Sequence, residues 1–279
     1  MKKITFKALV LIAFLCVSVP SYAIDFIKFG TSHDGDFWNT PNNIFPHFPS
    51  TVQYLAARGK NETTSIDLTD ENVQNVFNGD FGAFEAIVVS EQIDKISPES
   101  YALFNQFVSG GGCLILTGDH GEGEDAFLNN TFGYNVSIVT TTDKVDTFDI
   151  KPSASGTQFA GGPSNLTAAD LTVTFGNTPG SVIYQGQLGV VAFTDNFGQG
   201  TVNVIGWDYC CLDNDKPPFS NTPTEILAWY EVANRAFNQC FPGLAKSTIP
   251  TLNEWGLIAM AGILGIVGVL AVRRRRAAA

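Results

Sequence analysis

Two apolar runs, Ala86 to Ser90 and Cys113 to Thr117, enclose a stretch patterned as a helix, and this alternation restricts the fold more than any other feature of the chain. Between them, Ser97-Pro98-Glu99 reads as a helix start: a capping hydroxyl, a proline at the first helical position and an acid in the first turn. Leu103, Phe104, Phe107 and Val108 then fall on one face, and Gly110-Gly111-Gly112 ends the helix. Strands that are apolar on both sides have to be covered on both sides. When such strands alternate with helices, the solution is a parallel sheet with helices above and below it. The expected fold class is therefore α/β, a flavodoxin-like doubly wound and mainly parallel sheet.

The flanking sequence extends this pattern and then departs from it. Ile24 to Gly30 reads as a first strand, Thr51 to Arg58 as a short helix closed by Gly59, and Thr63 to Leu68 as a second strand. After Phe132-Gly133 the texture turns to Thr, Ser, Gly and Asn, with short alternating runs at Ser137 to Thr141, Leu171 to Phe175, Ser181 to Tyr184 and Val190 to Thr194. These make residues 134–197 a β-rich insertion. Thr201 to Trp207 reads as a further strand, and Pro223 to Asn238 as a closing amphipathic helix with Ile226, Leu227, Tyr230, Ala233 and Phe237 on its inner stripe. The folded domain is expected over residues 24–244, followed by a linker at 245–248.

Both ends of the chain read as addresses. Lys2, Lys3 and Lys7 precede an apolar stretch from Ala8 to Val19 and then Ser21-Tyr22-Ala23, the pattern of a secretory signal over residues 1–23. Its passage engages the Sec translocon and signal peptidase, and Cys16 leaves with it. At the other end Ile249, Pro250, Thr251 and Leu252 lead through Trp255 and Gly256 into an uncharged run that stops at Arg273, Arg274, Arg275 and Arg276. Residues 255–272, at roughly 1.5 Å per residue, make a helix of about 27 Å, which is the expected transmembrane helix. Burying an arginine costs about 3 kcal/mol on the insertion scale, which keeps the basic block cytoplasmic and the body outside.

These tail residues, in this order, resemble the IPTL-CTERM sorting signals over residues 249–279. The resemblance implies a Gram-negative exported protein read by an exosortase-type protease. It implies anchoring to the inner membrane through the C-terminal helix, then release to periplasm, cell surface or extracellular matrix. Of the chain's 27 acids, 26 lie between Ile24 and Thr248, against nine of its 16 lysines and arginines. A body this acidic repels phosphate backbones, so nucleic acid is not an expected partner. In the oxidising space outside the cytosol the cysteines are free to pair. Cys113 reads as an inert core thiol; Cys210 and Cys211 point to opposite faces if extended, so one of them can meet Cys240, and Cys211 with Cys240 is the favoured disulfide, closing a loop of about thirty residues worth roughly 3 to 4 kcal/mol.

The order of strand, Ser-Pro-capped helix, Phe107-Val108-Ser109-Gly110-Gly111-Gly112, apolar strand, then Gly198-Gln199-Gly200-Thr201-Val202-Asn203-Val204-Ile205-Gly206-Trp207 and a closing helix resembles the class I glutamine amidotransferase-like superfamily, in its trehalose-utilisation-protein-like branch. That superfamily places a nucleophilic cysteine on the turn after a central strand. Here the turn holds Gly118-Asp119-His120-Gly121, and Cys113 lies a strand length away, so glutaminase activity is not expected. Ligands of an open parallel sheet gather beyond the carboxyl ends of its strands. Those ends carry His33, Asp34 and Asp36, then Glu91, then Asp119, His120 and Glu122. As a set they suit a divalent cation, and His33, Asp119 and His120 are the candidate catalytic groups. The competing reading is that Asp and Gly occupy these loops because turns favour them. Two functions follow: a non-catalytic domain acting in binding or structure in the envelope or matrix, or a secreted metal-assisted hydrolase of carbohydrate or ester substrates. For Trp38, Trp207, Trp229 and the many phenylalanines core packing is favoured over a sugar platform.

Overall fold

The computed structural model describes residues 25–30, 55, 59–60, 66–79, 83–90, 93, 96–118, 121, 123–142, 146–169, 171–207 and 223–242. In chain order the elements are β1 (Phe26–Phe29), α1 (Asp70–Phe77), β2 (Ala86–Val89), α2 (Pro98–Ser109), β3 (Cys113–Thr117), α3 (Glu124–Phe132), β4 (Ser137–Thr142), β5 (Thr147–Ile150), a 3-10 turn (Pro152–Gly156), β6 (Asn165–Thr167), β7 (Thr172–Gly176), β8 (Ser181–Gly186), β9 (Gly189–Phe197), β10 (Gly200–Ile205) and α4 (Pro223–Cys240). The chain divides into two compact units, Met1–Phe241 and Pro242–Ala279, and all these elements belong to the first.

All ten strands join one mixed sheet. β1, β2, β3 and β10 lie side by side and parallel, with Phe29 opposite Val89, Val89 opposite Leu116 and Thr117 opposite Ile205. From β10 onward the pairing turns antiparallel, through β9, β8, β5 and β6, with β7 and β4 branching from β9. This corrects the flavodoxin-like, doubly wound expectation. Parallel neighbours need a long crossover to return the chain, and residues 133–222 hold no described α-helix to make one. Two-residue connections do the work instead: Gly198-Gln199 joins β9 to β10 with Gly198 at φ +60°, a left-handed value that glycine adopts freely. The β-rich stretch is accordingly an extension of the central sheet and not an insertion beside it. The transmembrane part of the expectation has no counterpart either: no helix among the described residues is long and apolar enough to cross a membrane, and residues 255–272 lie outside them.

Strand alternation sends Ile27, Phe29, Ile87, Val89, Leu114, Leu116, Val202 and Val204 to one face, where they meet Val73 and Val76 of α1, Tyr101, Phe104 and Val108 of α2, and Phe127 and Leu128 of α3. Phe104 lies at the centre, its ring edge-on to Phe29, Phe77 and Phe127. The opposite face packs under α4, with Phe26 edge-on to Phe237 and the buried pair Trp207 and Trp229 5.5 Å apart. Both tryptophans are core residues, and the Trp229 indole donates to the Thr167 carbonyl at 2.8 Å. Arg235 on the outer side of α4 donates to the carbonyls of Gln158, Ala160 and Gly161, fastening the segment after the 3-10 turn to the helix. At the amino edge, Lys60 bonds Asp25 at 2.9 Å and Glu85 at 3.3 Å and sits 4.2 Å over the Phe241 ring. It thereby holds the start of β1 and the exit from α4 together.

Two helix starts are joined by one carboxylate. Thr69 caps α1, its hydroxyl accepting from Asn72 N–H at 3.2 Å. Ser97 stands at the N-cap of α2 as its sequence suggests, yet it makes no side-chain cap. Its hydroxyl and N–H both donate to Asp70 Oδ1, at 2.9 and 2.8 Å, and the Ser100 hydroxyl does the same. The Ser100 hydroxyl most of all, then the Ser97 N–H and more weakly its hydroxyl, hold Asp70 below its ordinary value of 3.8, with burial opposing in part. A depressed carboxyl stabilises the fold above its unfolded pKa, and that contribution fades as pH falls through the folded one. In urea titrations the deficit of Asp70→Asn should therefore be largest near neutrality and narrow as pH falls from about 5 through the lowered folded-state value. A deficit independent of pH would mean that the carboxylate charge does not make the link.

Candidate functional site at the carboxyl edge

The four parallel strands end on one edge, and three of them feed the segments that carry the candidate ligands. β1 ends at Phe29 and leads through Gly30 to His33, Asp34 and Asp36; β2 ends at Val89 and leads through Ser90 to Glu91; β3 ends at Thr117 and leads through Gly118 to Asp119, His120 and Glu122. The roots are fixed by hydrogen bonds. Ser90 donates through both its N–H and its hydroxyl to the Phe29 carbonyl, each at 3.1 Å, and Gly118 N–H donates to the Ile205 carbonyl at 2.8 Å. Beyond the turn, the fully buried Glu124 accepts from Gly121 N–H at 3.1 Å, bending the loop back onto the first residue of α3. The seven candidate side chains themselves, His33, Asp34, Asp36, Glu91, Asp119, His120 and Glu122, lie outside the described residues. The structure thus brings their points of departure to adjacent strand ends. Among the described residues no group of three or more His, Cys, Asp and Glu is arranged to hold a metal ion.

Part of this edge is covered by another strand. β9 borders β10 along residues 192–197 and then meets β7 at Val190, so β7 continues the line of β10 past its carboxyl end. The junction is made by backbone: Val173 N–H donates to the Gly206 carbonyl at 2.6 Å, and Gly206 N–H to the Val191 carbonyl at 2.7 Å. The glycines here are required by space. A Cβ on Gly118 would stand 2.5 Å from the Gly206 carbonyl oxygen and 3.2 Å from Val173 Cγ2, and one on Gly121 would stand 2.8 Å from Thr141 Cγ2 of β4. The β4–β7 arm therefore rests directly on the ends of β3 and β10. It is steadied by Tyr134, whose hydroxyl donates to Asp195 at 2.7 Å; burial, then the Asp195 carboxylate, holds that phenol well above its ordinary value.

Two features were not read from the sequence. Lys28 is fully buried in β1 on the α4 side, signalled only by a lone lysine in an apolar run. The second is the disulfide: Cys240 is bonded to Cys113, with Cα atoms 5.3 Å apart, and not to Cys211, which lies outside the described residues. The expected inert thiol is thus a partner in the bond. Its cause is topological, because α4 runs back over the sheet and delivers its last residue to the first residue of β3.

No curated protein sequence matches the chain. Among solved structures it is similar to the cytoplasmic protein STM3548 from Salmonella typhimurium, at 10% identity and a TM-score of 0.49, covering 77% of this chain and 98% of that one. It is also similar to the mmIFT52 N-terminal domain, at 12% identity and a TM-score of 0.46 over 81% of this chain and 99% of the other. A beta-galactosidase from Rahnella sp. R3 matches at 12% identity and a TM-score of 0.46, with 77% of this chain spanning 31% of the enzyme's. None of the comparisons supports the amidotransferase-like resemblance of the body. The IPTL-CTERM motif matches residues 248–276, which bears out the sorting signal read from Ile249 to Arg276, and with it an exported, surface-sorted protein subject to exosortase-type processing.

Proposed function

We propose that this exported protein acts by binding or structure in the envelope or extracellular matrix and that its domain turns over no substrate. The IPTL-CTERM motif at residues 248–276 carries the reading. The Cys113–Cys240 bond accords with it, since disulfides persist outside the cytosol. Support for a non-catalytic role comes from the carboxyl edge. In an open sheet that edge is where a substrate would enter, and here the β4–β7 arm lies across the ends of β3 and β10, bonded backbone to backbone.

The test has two arms. In cells, a tag placed within the body of the full chain should become accessible to added protease without lysis, and changing Pro250 with Thr251 should abolish that accessibility; a tag protected in both would remove the surface assignment. On the purified mature protein, metal content should be substoichiometric, and His120→Ala should leave stability unchanged. A stoichiometric divalent metal, with ester or glycoside hydrolysis that His120→Ala removes, would instead establish the hydrolase.

A further inference from the structure

The two sulfurs of the disulfide stand in unlike surroundings. Cys113, the first residue of β3, is 4% exposed beneath α4, whereas Cys240, the last residue of α4, is only half-buried. Beside them on β10 sits Asn203, itself fully buried. Its Oδ1 accepts the Thr194 hydroxyl at 2.9 Å, which turns Nδ2 toward the sulfurs: 3.3 Å from Cys113 Sγ and 3.8 Å from Cys240 Sγ. The N–H donor thus lies nearer the buried sulfur. A helix C-terminus opposes negative charge on the residue that ends it, and that residue is Cys240. A hydrogen bond from a fixed amide favours the charge on Cys113.

We propose that Cys240 is the thiol–disulfide exchange site of this domain, that Cys113 is the thiolate it releases or is resolved by, and that Asn203 is the positioning residue that sets this direction. An incoming thiolate attacks Cys240 Sγ, a new S–S bond forms to that sulfur, the Cys113–Cys240 bond breaks, and its electron pair leaves on Cys113, which accepts the Asn203 N–H. A second thiolate of the reductant then releases Cys240; over the two steps two thiolates are oxidised to one disulfide and the cysteine pair is reduced. Run backwards, a disulfide-bearing oxidant first forms the mixed disulfide on Cys240, and Cys113 closes the bond and expels the oxidant's thiolate. The exchange partner is therefore a thiol or dithiol that approaches from the end of α4, eight residues ahead of the sorting motif. Rates in such reactions follow both access to the attacked sulfur and stabilisation of the leaving thiolate, and here both select the same sulfur.

The native mature protein is treated with limiting reduced glutathione, quenched with acid, and peptide-mapped for the adduct. Cys240 should carry at least ten times the glutathione found on Cys113, and in urea the two should be labelled equally. Asn203→Leu, similar in volume and uncharged, should bring the native ratio toward one; the wild-type comparison between native and denaturing conditions decides the site itself without that variant. Equal labelling of the native protein, a preference for Cys113, or a native bond refractory to glutathione would each overturn the proposal. A ratio unmoved in folded Asn203→Leu would remove Asn203 from it.

Discussion

Replacing Cys113 and Cys240 together with alanine should lower the unfolding free energy by about 5 kcal/mol, because the bond closes a loop across a sequence separation of 127 and the chain-entropy cost of such a loop is of that size. For a domain of this length the melting temperature should drop by about 10 to 20 °C. The expected Cys211–Cys240 pairing would close only about thirty residues and give roughly 3 to 4 kcal/mol, so magnitude helps to separate the two. Identity separates them better: Cys113→Ala alone should reproduce most of the loss, and Cys211→Ala should leave it absent. Dithiothreitol acting on the wild type should give the same destabilisation as the double substitution. The helix does not depend on the bond for its packing, since Trp229, Val232, Ala233, Ala236 and Phe237 are buried against the sheet. The expected outcome is a weaker but folded protein. A double variant within about 1 kcal/mol of the wild type would show that the loop is already held closed in the unfolded chain.

What the sequence discloses here depends on how local each cause is. β2 and β3 are apolar at every position up to their last residue, and their helix is bounded by Pro98 and three glycines, so elements and parallel pairing follow from neighbours in the chain. β5 and β6 are four and three residues long, with only Phe148 and Leu166 fully buried, and signals that short are lost among turn residues. α1 was missed although Thr69-Asp70-Glu71 marks its start, because a single turn and a half of Val73, Val76 and Phe77 is too short to show a stripe. The mixed character of the sheet rests on β9, which borders β8 on one side and β10 and β7 on the other; that register is a long-range property with no mark in composition. The disulfide is hidden for the same reason. The candidate site is legible as far as its roots, Gly30, Ser90 and Gly118, which the topology brings to one edge. The arm that covers part of that edge was not legible, since it is assembled from strands read as a separate insertion.

That arm gives the second large effect: Gly206→Ala should cost about 3 kcal/mol, the upper part of the usual range for overpacking. A methyl group there would run into the Val173 carbonyl oxygen and stand 3.1 Å from Val191 Cγ2. The obstacle is backbone, and it is backbone that Gly206 itself bonds, receiving Val173 N–H and donating to the Val191 carbonyl. Relief therefore requires β7 to slide off the end of β10 and give up those bonds, so the change cannot be absorbed by a side-chain rotation. Gly133→Ala supplies the control. Its φ of +69° makes it strained for alanine, but nothing lies within 4 Å of the added carbon, so its cost should stay near 1 kcal/mol. Hydrogen exchange should separate the two: in Gly206→Ala the amides of Val173 and its neighbours on β7 should lose protection while Leu114 and Leu116 of β3 keep theirs. A Gly206→Ala protein as stable as Gly133→Ala would mean that β7 is not seated on this edge, and the support it lends to a non-catalytic domain would go with it. If the arm does lift, the variant is also the means of asking whether the carboxyl edge, once uncovered, takes up a divalent cation.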